Sequence, residues 1–382
     1  MTTNRTDGTT GLAKRLAATF RAFVSLAACA ALLGSCERRP LEEDDIMTTA
    51  LIPVRVDWSR SNIPVTEADL TGGSHVHRVS LRFYPEDGSP VFERHLEGNI
   101  FEGQVELPVG RYRVIAMNES VDDVSYWEDA ITFSDADDYD RFVATINPLP
   151  AAERAERFPF YRPAAGENVV VEPLRLASWS LDDFEVTEEM VAVSRGYRAA
   201  ASDSTEEMLG ALTRVAMRNL TYNVNVTAHV KNLVSAQAMH TAVSGLAGKV
   251  YLASARTERH PSTHLFLLNG RTWDTNNTDG TTRKSFLSFG RLPQDAAAES
   301  YRIALDVLLV TGELYTASGP MLFDVTKQVR ASSGTDINLY IPEESESPDK
   351  PGFSDKPGSI DLPYVEGGIN VGDWDDEEIE LN

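Results

Sequence analysis

Asn219-Leu220-Thr221-Tyr222-Asn223-Val224-Asn225-Val226-Thr227-Ala228-His229-Val230 alternates apolar and polar residues without a break. On an extended chain Leu220, Tyr222, Val224, Val226, Ala228 and Val230 share one face, and the asparagines, threonines and His229 share the other. A period of two is the side-chain repeat of a strand. One apolar and one polar face is the pattern of an antiparallel sheet with one side buried. This stretch therefore predicts a long strand and an all-β chain.

The same period recurs on both sides of it. Val54, Val56 and Trp58 alternate with Arg55 and Asp57, and Val79, Leu81 and Phe83 with Ser80 and Arg82. Pro85-Glu86-Asp87-Gly88 has turn chemistry, and Val91-Phe92 begins the returning strand. Gln104–Leu107 and Arg111–Asn118 flank the turn Pro108-Val109-Gly110, and Val169-Val170-Val171 and Trp179–Val186 read as closing strands of the first half. Downstream, strands are predicted at Lys249–Ala253, His264–Leu268, Ser285–Phe289, Tyr301–Val310, Leu322–Thr326 and Asp336–Ile341. Short strands separated by turn signals at this spacing point to sandwiches. Helix is sparse. Ser204–Met217 reads as one, with Ser204 as N-cap and Glu207 three residues on, and Asn232–Thr241 as a short second.

The 382 residues are about 2.5 times the usual length of about 150 per domain. Gly196–Asp203 is the best linker, which divides the body into a β-sandwich at 51–205 and a second at 206–382. Pro148–Gly166 breaks the strand pattern. Residues 342–372 hold Pro342, Pro348, Pro351, Pro357 and Pro363 and read as an extended loop. Ile369–Trp374 reads as a last strand docked on the second domain.

Composition narrows the function classes. With 42% hydrophobic residues the chain has enough apolar side chains for globular cores. A net charge of −23 repels phosphate backbones, so nucleic acid is not an expected partner. Two cysteines, Cys29 and Cys36, exclude a disulfide scaffold and a multi-thiolate zinc site.

The first 35 residues do not read as fold. Arg5, Lys14, Arg15 and Arg21 outweigh Asp7, and Ala22 to Leu33 is an apolar, small-residue run. At about 12 residues it is too short for a membrane-spanning helix and right for a secretory signal. Leu33-Gly34-Ser35-Cys36 then resembles a bacterial lipobox, with signal peptide 1–35 and the Cys36 thiol as lipid acceptor. Acyl chains on Cys36 anchor the chain at about 0.8 kcal/mol per buried methylene. Residues 36–50 are a charged tether. Its cluster Glu42-Glu43-Asp44-Asp45 resembles surface-export signals of Bacteroidota lipoproteins, and reads equally as a solvated linker.

Catalytic and metal-binding patterns are weak. His75-Val76-His77 would share one face of a strand but has no third ligand beside it. His260-Pro-Ser-Thr-His264 lacks the glutamate of HExxH, and Pro261 forbids the helix that motif needs. Asp135-Ala-Asp-Asp138-Tyr-Asp140 lacks the glycine and terminal acid of a calcium loop, and reads as a solvated acidic loop. Gly245-Leu-Ala-Gly248 reads as a turn. There is no GxSxG elbow, and a carboxylate pair for glycoside hydrolysis has no support in spacing. Asp203-Ser204-Thr205 resembles a short O-glycosylation sequon, in competition with the cap role of Ser204.

The lipobox is followed by Val54-Arg-Val-Asp57-Trp58, Phe83-Tyr84-Pro85-Glu86-Asp87-Gly88, Leu107-Pro-Val-Gly-Arg-Tyr-Arg-Val114 and Met117-Asn118-Glu119-Ser120. Further on come Ala228-His-Val-Lys-Asn232-Leu233 and Phe266-Leu-Leu-Asn-Gly-Arg271. In this order they resemble a Bacteroidota lipoprotein family of unknown function related to fimbrillins and fimbrial anchors. The resemblance implies two transthyretin-like antiparallel β-sandwich domains with few short helices, export as an outer-membrane lipoprotein exposed at the cell surface, and strand exchange with fimbrial subunits. It carries over one site residue, Cys36, and no catalytic residue, cofactor or metal. The expectation is a non-enzymatic fimbrial anchor or accessory subunit. Its partners would be membrane lipid, through acylated Cys36, and fimbrial subunits or host surface ligands. The alternative is a surface glycan- or ligand-binding lipoprotein using aromatics such as Trp127, Tyr139 and Trp273. Because Glu37–Ala50 contains Arg38 and Arg39 but no strand-forming run, a cut there frees the chain without opening a sheet. That favours an anchor over a stalk subunit. An Arg-specific cut inside Val54–Trp58, at Arg55, would instead remove strand and point to a stalk subunit.

Overall fold

The computed structural model describes residues 48–61, 63, 78–97, 100–119, 129–196, 210–293, 300–316, 318–342 and 358–365. In chain order the first half contains β1 (Thr49–Asp57), β2 (Arg78–Pro85), β3 (Phe92–Glu97), β4 (Glu102–Pro108), β5 (Gly110–Glu119), β6 (Ile131–Ser134), β7 (Val143–Ile146), α1 (Ala151–Arg157), β8 (Val169–Val170), β9 (Ala177–Val186) and α2 (Glu188–Ser194). The rest contains β10 (Val215–Ala216), β11 (Arg218–Asn219), β12 (Tyr222–Lys231), β13 (Ala236–Ala247), β14 (Lys249–Tyr251), β15 (Pro261–Leu267), β16 (Gly270–Trp273), β17 (Gly280–Ser288), β18 (Arg302–Leu309), β19 (Met321–Asp324), α3 (Thr326–Ala331), β20 (Asp336–Ile341) and β21 (Ile360–Asp361). The chain is mostly β, as the period-two pattern predicts.

Two sandwiches form. In the first, the sheet β10-β1-β4 and the sheet β11-β9-β5-β2-β3 share one buried cluster that includes Ile52, Val54, Leu81, Phe83, Leu107 and Val114. In the second, β16-β17-β12-β20 and β19-β18-β13-β15-β8 enclose another, with Val224, Val226, Val243, Phe286, Leu305 and Leu339. Antiparallel pairs dominate. The parallel pairs, β1 with β10, β12 with β20 and β21, and β15 with β8, join segments far apart in sequence.

A small sheet, β14-β7-β6, builds a third cluster containing Ile115, Phe142, Leu176, Leu220, Val250 and Phe289. β5 is consequently buried on both faces. Tyr112, Val114 and Ala116 enter the first core, while Ile115 and Met117 enter the third. The long alternating stretch is the passage between the sandwiches. Asn219 pairs with Ala177 in β9, while Val224 pairs with Phe286 in β17. The break falls at Leu220-Thr221, where both backbone N–H groups donate to Leu176 O.

Several expectations are corrected. Asn232–Thr241 is not helix. Asn232 is left-handed, Leu233–Ser235 is one 3-10 turn, and β13 follows. Pairing on both sides, with β15 and β18, overrides the helix-forming Ala236, Gln237 and Met239. The described part of Ser204–Met217 is a 3-10 turn, Ala211–Arg214, leading into β10. Ser204 and the linker region 197–209 lie outside the described residues. Val169-Val170 does not close the first half, because it pairs with Thr263 and His264 of β15. Gly245–Gly248 is a β-bulge rather than a turn. The register shifts between Ser244 and Leu246, and Gly245 adopts φ +96°, where a Cβ would meet Ser300 O at 2.8 Å. Pro148–Gly166 contains α1. From the loop 342–372, residues 358–365 supply β21 and bury Ile360 and Leu362. Ile369–Trp374 lies outside the described residues.

Candidate functional site: the entry of β1 and the sheet edges

The boundary expected at residue 50 falls inside β1, because Thr49 already belongs to that strand and Ala50 is fully buried. β1 is the central strand of its sheet. It runs in register with β4 from Thr49↔Pro108 to Arg55↔Glu102, and pairs in parallel with β10 at Val56↔Val215. Alternation places Ala50, Ile52, Val54 and Val56 in the core and exposes Arg55 and Asp57.

The first residues of β1 are clamped. Arg195, at the end of α2, donates from Nη2 to Thr49 Oγ1 at 2.9 Å and from Nε to Thr49 O at 3.2 Å. Thr49 Oγ1 donates to Glu106 Oε1 at 2.7 Å, and Arg195 also pairs with Glu106. Ser194 Oγ accepts from Leu51 N at 3.1 Å. The hydrogen bond from Thr49, followed by that from Arg195, holds the Glu106 carboxyl below the usual carboxylate range. α2 is set for this role by its N-cap, Thr187, whose Oγ1 accepts from Met190 N, and by the burial of Met190 and Val191.

The sheet edges differ in how they are closed. On β20, Gln328 of α3 imitates a neighbouring strand. Its Oε1 accepts from Tyr340 N at 2.7 Å, and its Nε2 donates to Tyr340 O at 3.0 Å. β3 carries charge. Glu93 pairs with Arg82 at 3.1 Å, Ser80 Oγ lies 3.0 Å from His95 Nδ1, and Arg78 pairs with Glu119. Glu93, His95 and Glu119 bring ligand atoms within 4.8 Å of one another. Two arginines already neutralise the carboxylates, so the group reads as a polar edge guard. β19 is different. Among the described residues it pairs only with β18, and Leu322 is 65% exposed. The bond from Val325 N to Tyr301 O sets the parity of this ladder, so Leu322 turns its N–H and C=O away from β18.

The other predicted residues are not brought together. Cys36, His75, His77, Trp127 and Asp203-Ser204-Thr205 lie outside the described residues. His264 is enclosed beside Phe286, with Ser262 Oγ at 3.4 Å from Nε2, and burial pushes its pKa down to about 3. His260 turns to Asn168 at 3.2 Å instead. In the acidic loop, Asp138 Oδ1 accepts from the backbone N–H of Asp140 and Arg141, and Asp140 pairs with Arg113 at 2.7 Å. Tyr139 is no exposed platform. It is buried under the Arg113 guanidinium, 3.7 Å from the ring centroid, and donates to Asp182 at 2.8 Å. Burial, then Asp182, pushes its pKa up to about 12. Trp273 is half-buried against the second core. Arg195, Glu106 and Gln328 escape sequence reading because only tertiary packing brings them to their strands.

An adhesin candidate from Bacteroides ovatus is similar to this chain, with a TM-score of 0.45 and 13% identity over 84% of this chain and 98% of that one. The fimbrial anchor protein Mfa2 from Porphyromonas gingivalis is similar with a TM-score of 0.39 and 11% identity, over 76% and 90% respectively. A fimbrial assembly protein from Parabacteroides distasonis gives 0.32 and 9%, over 72% and 85%. These likenesses carry no functional argument. No curated protein sequence matches the chain. Residues 35–267 match the family model described as a domain of unknown function, DUF5119. The match runs from Ser35 through β15, more than half of the 382 residues, and so the chain belongs to the DUF5119 family.

Proposed function

We propose that the protein is an outer-membrane lipoprotein acting as a fimbrial anchor or accessory subunit. Signal peptide 1–35 directs export, and Cys36 carries the lipid. The observation that carries the reading is the entry of β1. Thirteen residues beyond Cys36, at Thr49, the chain becomes the clamped central strand of a sheet. A pull on the lipid end is resisted by the whole β1–β4 ladder in shear, by the Arg195–Thr49 clamp and by the buried Ala50, Ile52 and Val54. A tether that ends in a rigid sheet transmits force, which is what an anchor has to do.

The partner strand would add to β19, the edge that offers outward N–H and C=O groups next to an exposed apolar side chain. Main-chain bonds supply affinity in this mode of recognition, and side-chain contacts supply specificity. Two variants test the two halves of the reading. Cys36→Ala should move the folded protein from the membrane to the soluble fraction. Leu322→Pro, which removes an outward N–H from an edge strand, should keep the fold and lose co-purification of surface fibres. Unchanged partitioning of the first, or unchanged fibre capture by the second, contradicts the corresponding half.

A further inference from the structure

An open cleft of about 420 Å³ lies beside the start of β12, where Tyr222, the turn Ala255-Arg256-Thr257 and the segment Phe289 to Pro293 meet. Its volume falls within the range of small-ligand sites. In a chain of net charge −23, it is lined by two arginines. Neither the Arg256 nor the Arg291 guanidinium has an ion-pair or hydrogen-bond partner among the described residues. Most other arginines near acidic groups are engaged, as Arg78, Arg82, Arg111, Arg113 and Arg195 illustrate.

The walls of the cleft are fixed. Ala255 is held in the left-handed region, φ +55°, by a turn in which its N–H donates to Tyr251 O and Tyr251 N donates to Arg256 O, both at 2.9 Å. A non-glycine residue there costs backbone energy, and such positions gather at functional sites. Thr257 Oγ1 donates to Arg291 O at 2.7 Å, which ties the two arginine-bearing segments together. The Tyr222 ring lies over Gly290, where φ is +84° and a Cβ would meet Tyr222 Cδ2 at 2.6 Å. The backbone around the cleft is largely spoken for. Gly290 O accepts from Ala247 N, Gly290 N donates to Ser288 Oγ, and Thr257 is bridged to Val250. An extended peptide, which needs free main-chain groups, has few to pair with. Recognition falls to two guanidinium groups and an aromatic ring.

We infer that this cleft binds a carboxylate-bearing sugar unit, of the uronic-acid class. Arg256 and Arg291 pair with the carboxylate, and the apolar face of the pyranose lies against the aromatic wall. Guanidinium is suited to this because its planar donor fork matches a carboxylate. The cleft is independent of the lipid anchor and of the β19 edge, so the inference stands or falls separately from the proposed function.

The test is an NMR or calorimetric titration of the full chain in detergent with D-glucuronate, with methyl glucoside as the neutral control and hexaglutamate as the peptide control. Glucuronate should saturate and the two controls should not. Arg256→Gln and Arg291→Gln should each weaken glucuronate binding by about tenfold, the loss of a charge-assisted hydrogen bond, with an unchanged circular dichroism spectrum. Arg256 is exposed, so its variant keeps the test valid if Arg291→Gln perturbs the fold. Equal binding of glucoside and glucuronate, preference for hexaglutamate, absence of saturation, or full affinity in the Arg256→Gln variant would each overturn the assignment.

Discussion

Arg195 Nη2 donates to Thr49 Oγ1 at 2.9 Å, joining the end of α2 to the first residue of β1 across 146 positions of sequence. The same guanidinium reaches Thr49 O through Nε, and its side chain is only 16% exposed. Replacing it with methionine keeps the apolar stem and removes the donors. Arg195→Met is predicted to cost about 1 kcal/mol in denaturant unfolding. Hydrogen exchange at Leu51 should accelerate, while exchange in β12 should stay unchanged. Uniform protection in the variant would remove the clamp from the account.

The clamp also responds to acid. Thr49 and Arg195 depress the Glu106 pKa, so its contribution is fully present above the ordinary carboxylate pKa and is lost as pH falls through the lowered value. Exchange at Leu51 should therefore rise below about pH 4 in the native protein. In Glu106→Gln it should be already fast and pH-independent, after correction for intrinsic exchange.

His264 is predicted to add a global pH dependence. Its folded pKa, near 3, lies below the ordinary histidine value of about 6.5. Between those values the unfolded chain binds the proton and the folded chain does not. Stability is predicted to fall as pH drops through this window, by at most about 1.4 kcal/mol per pH unit from this residue. A His264→Leu variant should show a shallower slope in urea midpoints measured from pH 7 to pH 4. An unchanged slope would assign the pH dependence elsewhere.

Gln328 closes the β20 edge with both atoms of its amide. Gln328→Ala frees the Tyr340 N–H and C=O and leaves a row of strand groups exposed beside a half-exposed tyrosine. The variant is predicted to lose about 1–2 kcal/mol and to self-associate with increasing concentration in light scattering. A monodisperse variant would show that the helix itself, rather than this side chain, guards the edge.

The alternating stretch can be tested directly, because Val224 and Val226 are at most 1% exposed in the second core. Val224→Asp or Val226→Asp is predicted to destabilise by several kcal/mol, through an unpaired buried charge. Asn223→Asp, on the wet face beside Asp336, should cost far less. Equal losses would remove the distinction between the two faces of β12.

How far sequence reaches into this fold follows from where the information resides. Strands with one buried face, such as β12 and β20, show their period directly, and Asp336–Ile341 alternates from end to end. β5 is harder to read, since Ile115 and Met117 are buried on the face opposite Val114 and Ala116. β13 hides behind helix-forming residues, and its strand state comes from β15 and β18 on either side. The parallel partner of Val170 lies almost a hundred residues away, in β15, with nothing in local pattern to announce it. The same holds for the sites. The expectation that Cys36 is a lipid acceptor rests on four contiguous residues, Leu33-Gly34-Ser35-Cys36, whereas the clamp, the Gln328 plug and the arginine cleft are each assembled from segments that meet only in the folded chain.

Intact-mass and N-terminal peptide analysis of the protein extracted from cell envelopes tests the central claim most directly. The account predicts a chain that begins at an acylated Cys36 and retains β1 from Thr49 through Asp57. An unacylated chain, or one beginning beyond Arg55 with the central strand of the first sheet removed, would contradict it.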